Sequence, residues 1–414
     1  MNAVRRDARA ASSSLRALPP LAPATAVSLR RQVALFGYKW DAQVGDLDAL
    51  AGFPLSIARG EWLWLAGAAE RLTSEAFAAE LEILERPKLM AELGLPRALR
   101  NVLQSRGSLT PVAGRVMRFD FHPTRDGWRI SEVNADVPGG FSEASLFTRL
   151  MAAHYAPLCP TGDPGAAWCD VLASAASHGR VALLTAPGYL EDQQVVAYLA
   201  RQLSERGCRT VLASPRQIRW DRAEATLDTT FCRERVDLLV RFYQAEWLPE
   251  LPSKRGWHHF LRGGRTAVSS GAHAVVSESK RFALLWDRLS TPLPTWRELL
   301  PETRDPRDAP WARDDAWLLK SAFCNNGDTV SVRGLMSSRE WLARSLSARL
   351  NPGAWVAQRR FESLPLPTPF GPRHVCIGVY TVNGRASGAY ARLSHQPLID
   401  SNATDVALLV NHDD

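Results

Sequence analysis

The sequence predicts a mixed α+β fold, and three stretches carry that expectation. Residues 117–121 alternate, with Met117, Phe119 and Phe121 on one side and Arg118 and Asp120 on the other, as a half-buried strand requires. Asp126-Gly127 then marks a hairpin turn. Residues 60–85 place Trp62, Leu65, Ala69, Leu72 and Phe77 near a 3.6-residue period, with Glu75, Glu80 and Glu82 outside, which predicts a helix. Between residues 180 and 243, short continuous apolar strands flank a helix, the pattern of a small parallel sheet.

Residues 1–29 are rich in Ala, Ser, Arg and Pro with Asp7 as the sole acid, and are expected to be a disordered, dispensable extension. From Gln32 the segment V-A-L-F-G-Y-K-W-D begins folded structure, and Leu93-Gly94-Leu95-Pro96 closes the helical region with a glycine followed by a proline. After the hairpin, residues 134–145 form a loop. Gly139-Gly140 permits close backbone approach there and Ser142 offers a helix start, either a cradle for a carboxylate or a capped turn. In the parallel unit the strands fall at 180–185, 209–213 and 236–242, with the helix near 191–206. No Gly-x-Gly-x-x-Gly follows the first strand, so a dinucleotide site is not expected.

Lys280 stands at the start of a helix that should bury Leu284, Leu285 and Trp286. Residues 317–320 read as a strand ending in Lys320, followed by the loop S-A-F-C-N-N-G-D and a strand at 329–333. A strand ending in lysine before a glycine-containing loop can grip phosphates, the ammonium neutralising charge while loop amides donate. Residues 355–358 form another strand, and 374–381 and 386–392 a hairpin closed by Asn383-Gly384. His258-His259 read as surface residues whose rings point apart in an extended chain.

The chain has 414 residues, 46% of them hydrophobic and 22% charged, enough for two or three structural units around ample core. Its net charge of +7 is spread along the chain without a basic block interleaved with aromatics, which speaks against nucleic acid and suits anionic substrates. Six cysteines lack any Cys-x-x-Cys, as expected of free thiols in a reducing cytoplasm. No apolar run approaches the roughly 20 residues of a membrane span.

The chemistry concentrates on the hairpin. A three-residue loop at 125–127 with a left-handed glycine would set Asp120 opposite Glu132 and Arg118 opposite Asn134. Like charges directly opposed on one sheet face are destabilising, so the arrangement asks for a cation, and neutralising either acid should leave stability unchanged or slightly higher. Two carboxylates and an amide oxygen are hard ligands of the kind magnesium takes beside substrate phosphates. An arginine on the same face suits an adjoining anion.

Arg118-x-Asp120, eleven residues, then Glu132-x-Asn134-x-Asp136-x-Pro138 resembles the signature of the glutathionylspermidine synthase family, in its synthetase half. The likeness runs over roughly residues 33–408. It implies a permuted ATP-grasp fold with an inserted small α/β parallel-sheet domain on the substrate side. The expected organisation is a first core part at 30–175, the insertion at 176–265 and an ATP-binding part at 266–414. It further implies that Asp120, Glu132 and Asn134 ligate magnesium and that Arg118 steadies an acyl phosphate. Lys280 and Lys320 match two ATP-binding lysines, Gln358 a polar residue at the nucleotide hinge, and Arg392 an arginine that meets substrate or transferred phosphate. Asn326 and Gly327 fall in the phosphate loop. That loop departs from the family pattern, keeping one glycine and lacking an Arg-Glu pair, although Asn325 and Asn326 tolerate left-handed backbone.

The implied activity is ATP- and magnesium-dependent, ADP-forming ligation of a small carboxylate to a small amine. Two alternatives stay open, a non-catalytic nucleotide-binding protein and a ligase whose acceptor is a peptide or carrier protein. The sequence gives no oligomeric state.

Overall fold

The computed structural model describes residues 13–104, 113–252, 256–262, 264–271, 273–323 and 330–412, and the α+β class is the one observed. At its centre lies an antiparallel sheet in which the first hairpin, Val116–Thr124 and Gly127–Asn134, sits beside the C-terminal hairpin, Arg373–Val382 and Arg385–Ser394, with Thr404–Val406 at the far edge. Strand alternation divides the sheet's two faces by chemistry. Met117, Phe119, Phe121, Ile377, Val379, Ala389 and Ala391 are fully buried in one core cluster, which also holds Leu65, Ala69, Leu72 and Ala76 of the 26-residue helix Arg59–Leu84. The opposite face carries Arg118, Asp120, His122, Cys376, Gly378, Tyr390 and Arg392.

The first hairpin reaches the expected pairing by another route. Its turn closes on Thr124 opposite Gly127, one residue tighter than expected, and Gly127 has φ +90°. A bulge then skips Ser131, since Phe121 pairs with Ile130 while Asp120 pairs with Glu132. The extra residue restores the register, so Arg118 does face Asn134. The C-terminal turn is tight, with Asn383 and Gly384 both at positive φ (48° and 82°), the two-residue turn that an Asn-Gly pair favours.

The parallel sheet has four strands in the order Ala267–Ser269, Leu238–Arg241, Arg180–Leu184, Arg209–Ala213. The strand at 267–269 and an antiparallel meander at 218–235 were not expected. A three-stranded sheet joins Trp355–Arg359 to Trp317–Ser321 and Thr303–Arg304. No helix among the described residues is long and apolar enough to cross a membrane. Cys159, Cys169, Cys208, Cys232 and Cys376 are free, and Cys324 lies outside the described residues.

The strand expected at 329–333 is, among the described residues, only an isolated bridge of Ser331 to Leu319, and four further local expectations need correction. Glu80 does not point outward from the long helix but is buried against Arg115 at 2.7 Å. Lys280 opens a 3-10 helix, Lys280–Arg288, capped by the Ser279 hydroxyl. The rings of His258 and His259 lie 4.2 Å apart, because a helical turn starts there, and His259 stacks on Trp220.

The fourth correction concerns the amino-terminal segment, which is ordered from Ser13 onward rather than disordered to residue 29. Arg16–Ala17 pairs with Leu55–Ala58, and Ser14 donates from its amide and hydroxyl to Glu61 at 2.8 and 2.5 Å. The helix Pro23–Phe36 follows, and Leu15, Leu29 and Val33 are buried. Arginine-rich composition hid two or three well-spaced apolar anchors. Burial of a leucine contributes about 1.5–3 kcal/mol, so a chain starting at residue 29 should melt several degrees below one starting at Ser13. Equal midpoints in a thermal scan would show that residues 13–28 add nothing.

Candidate active site

Asp120, 1% exposed, accepts four donors on its two oxygens. Arg118 grips it in a fork, Nε to Oδ1 at 2.8 Å and Nη2 to Oδ2 at 3.1 Å. Arg392 Nη2 donates to Oδ2 at 2.6 Å and Asn134 Nδ2 at 3.3 Å. The remaining Arg118 nitrogen reaches the Gly139 carbonyl at 3.1 Å and the Tyr390 hydroxyl at 3.5 Å. Gly378, paired with Asp120 across the sheet, makes room for this: a Cβ there would lie 2.9 Å from Arg118 Cδ.

The cation demanded by the opposed acids is thus met from within the chain. Arg118 and Arg392 serve Asp120, while Lys280 Nζ stands 3.4 Å from Glu132. Burial alone would raise the Asp120 carboxyl, but Arg118 and Arg392 overcome it and hold its pKa at about 2. Glu132 is lowered as well, burial being outweighed only by Lys280, Lys320 and Arg392 together. Both acids are therefore ionised at neutral pH.

The other expected residues gather around the same hairpin. Lys320 Nζ donates to the Ser131 carbonyl at 2.8 Å, and Gln358 Nε2 donates to Thr303 Oγ1 at 3.0 Å. Asn326 and Gly327 lie outside the described residues. Asp120, Glu132, Lys320 and Gln358 line a cavity of about 80 Å³ whose other walls include Leu318, Val332 and Ile399. Arg118 and Asn134 line a larger one of about 610 Å³. Arg392 belongs to both walls. The Arg118–Asp120–Arg392 cluster therefore stands where a small cavity with polar and apolar walls meets a roomier, charged chamber.

Sequence reasoning missed the chamber's own chemistry. Lys39 Nζ is surrounded by Glu143 at 2.7 Å and by Asp41 and Asp405 at 3.2 Å each. Burial pushes Asp405 up to about 6, against the pull of Lys39, and burial with the neighbouring Glu191 pushes Asp192 up to about 7. Asp192, Glu191 and Asp400 also line the chamber. Only the pairing of segments hundreds of residues apart assembles this cage. In the loop at 134–145 the Gly139 carbonyl is engaged by Arg118 and Tyr380, and Gly140, at φ +87°, packs where a Cβ would lie 2.6 Å from the Tyr380 hydroxyl. Ser142 gives no side-chain cap; its hydroxyl donates to Glu143 at 2.9 Å.

Among the described residues no group of three or more His, Cys, Asp or Glu side chains could hold a metal ion. The trio Asp120, Glu132 and Asn134 uses an amide as its third member. Its donor chemistry fits magnesium: two ionised carboxylates face each other, and Asp120 Oδ1 accepts only one hydrogen bond.

The ion cluster reverses the stability expected of its variants. Asp120→Asn leaves two buried guanidinium groups without their counter-charge, so a loss of about 3–5 kcal/mol is expected in chemical denaturation. Glu132→Gln leaves Lys280 with Glu278 at 3.8 Å and should lose less. Because the Asp120 pKa is depressed below its ordinary 3.8, its contribution is present above about pH 4 and lost as pH falls toward about 2. An Asp120→Asn protein as stable as the parent would show that repulsion between the acids outweighs the arginines.

Comparison with known proteins agrees with this architecture. The family model described as "Glutathionylspermidine synthase preATP-grasp" matches residues 28–411. Curated proteins give no significant match. Among solved structures, a glutathione synthetase-like effector from Globodera pallida, in its apo form, is 12% identical with a TM-score of 0.64, over 94% of this chain and 96% of that one. A putative γ-glutamylcysteine synthetase from Methylobacillus flagellatus is 11% identical with a TM-score of 0.40, over 77% of this chain and 85% of that one. With the family match running from the amino-terminal helix through both hairpins to the last strand, the chain belongs to the glutathionylspermidine synthase preATP-grasp family.

Proposed function

We propose that the chain is an ATP- and magnesium-dependent carboxylate–amine ligase of the permuted ATP-grasp type, forming an amide through an acyl phosphate and releasing ADP. The observation that carries this reading is the paired-arginine cluster on Asp120 at the junction of two cavities. Membership of the family supports it.

In this reading the small cavity receives only part of ATP, with the phosphates toward Lys320 and Lys280 and the hinge side toward Gln358, and Asn326 and Gly327 join the phosphate contacts. Asp120, Glu132 and Asn134 would hold magnesium, which when bound neutralises charge on phosphate oxygens. The carboxylate substrate lies in the large chamber against Arg118 and Arg392. Its oxygen attacks the γ-phosphorus, the bond to the β-phosphate oxygen breaks, and ADP departs. An amine then attacks the acyl carbon, phosphate leaves with the former carboxylate oxygen, and the amine gives up a proton. Arg118 and Arg392 stabilise the negative charge of both steps. The chamber's acids (Asp41, Glu143, Glu191, Asp192, Asp400 and Asp405) suit an amine that arrives as an ammonium ion.

Screening carboxylates with amines for ADP release, with mass detection of the product, tests the reading; ADP release that never depends on an amine would count against ligation. Arg118 separates a ligase from a simple nucleotide binder, because it lines the chamber and not the small cavity. Arg118→Lys keeps the charge but loses the planar fork. Turnover should fall about a hundredfold, or about 2.7 kcal/mol, with ATP affinity changed less than about threefold. Collapse of equilibrium ATP binding in step with turnover would instead make Arg118 a nucleotide anchor.

A further inference from the structure

The bulge in the first hairpin does more than correct the register. It brings both Ser131 and Glu132 to the small cavity, where regular alternation would send one of them to the opposite face. The Ser131 carbonyl accepts from Lys320 Nζ at 2.8 Å. The Ser131 hydroxyl meets His122 Nε2 at 3.0 Å. His122 is buried on the strand face that carries Arg118 and Asp120, with its ring centre 5.1 Å from that of Phe361. A bulge residue is left out of the ladder, so its carbonyl is not fixed by strand pairing and needs another restraint. The His122 contact supplies one.

We propose that His122 and Ser131 are a positioning pair that fixes the bulge carbonyl and, through it, the ammonium of Lys320. Neither residue needs to touch a reacting atom. The inference rests on the nucleotide reading of the small cavity only for what Lys320 binds, and not for how Lys320 is held. It adds two residues outside the family signature to the machinery of the site, and it assigns the bulge a purpose: a hairpin in regular register would not turn this carbonyl toward the lysine.

The test compares Ser131→Ala, Ser131→Thr and His122→Phe with Lys320→Met in the full chain. MgATP binding is read by titration calorimetry, and Lys320 accessibility by mass-spectrometric mapping of chemical acetylation without nucleotide. Ser131→Ala and His122→Phe should each weaken MgATP binding about fivefold, as loss of one hydrogen bond would, and raise Lys320 acetylation several-fold. Ser131→Thr, which keeps the hydroxyl, should stay within about twofold of the parent. In a Lys320→Met background, Ser131→Ala should add nothing to the loss of MgATP binding. Unchanged Lys320 acetylation in both Ser131→Ala and His122→Phe overturns the proposal. So does a Ser131→Ala effect on MgATP that persists in full when Lys320 is replaced. If the parent binds no MgATP but acetylation rises as stated, the nucleotide reading falls and the positioning pair stands.

Discussion

A carboxylate buried on a sheet face, with two guanidinium groups on it, is the constraint around which this molecule is arranged. Asp120 could not be ionised at 1% exposure without Arg118 and Arg392, and those two could not be buried without it. The three come from two hairpins far apart in sequence, so the cluster forms only when Val116–Thr124 pairs with Arg373–Val382. That pairing in turn needs Gly378, since a side chain there would occupy the path of Arg118. One ion cluster therefore locks the register of the central sheet and sets the boundary between its two cavities.

Beneath the sheet, the helix Arg59–Leu84 supplies an apolar floor, which leaves the polar face free to be specialised. The parallel sheet is tied to that face by a second buried pair. Arg241, fully buried at the end of its strand, donates to both oxygens of Asp136, two residues beyond Asn134. Asp136 also accepts from the Ala245 amide at 2.9 Å, next to Gln244 and near Trp247, both in the chamber wall. A wall of the large chamber is thus anchored to the hairpin that carries the acids. In open parallel sheets ligands gather beyond the carboxyl ends of the strands, and the chamber lies there, at Gly188 and Gln244.

Much of this was legible in the sequence where short-range signals decide. Period-two alternation, Asp126-Gly127 and Asn383-Gly384 located both hairpins, and the facing of Asp120 with Glu132 and Arg118 with Asn134 came out right. The route to it did not, because the tighter turn and the Ser131 bulge shift the register by one in opposite senses. Composition misled at the amino terminus, where Leu15 and the Ser14–Glu61 contacts order a segment that looks featureless. Glu80 reads as part of the outward face of its helix because periodicity cannot foresee a partner such as Arg115. The Lys39 cage joins residues 39, 41, 143 and 405, and nothing local announces it.

On the proposed mechanism the arginine cluster brings a carboxylate, not water, to the γ-phosphate. Running the reaction in ¹⁸O-enriched water, with whichever carboxylate and amine support ADP release, decides it through the mass of the released phosphate. In-line attack by a carboxylate oxygen predicts phosphate free of solvent ¹⁸O, because its fourth oxygen comes from the substrate acid. Phosphate carrying one solvent ¹⁸O per ADP would mean that water attacks the nucleotide, and would contradict the account.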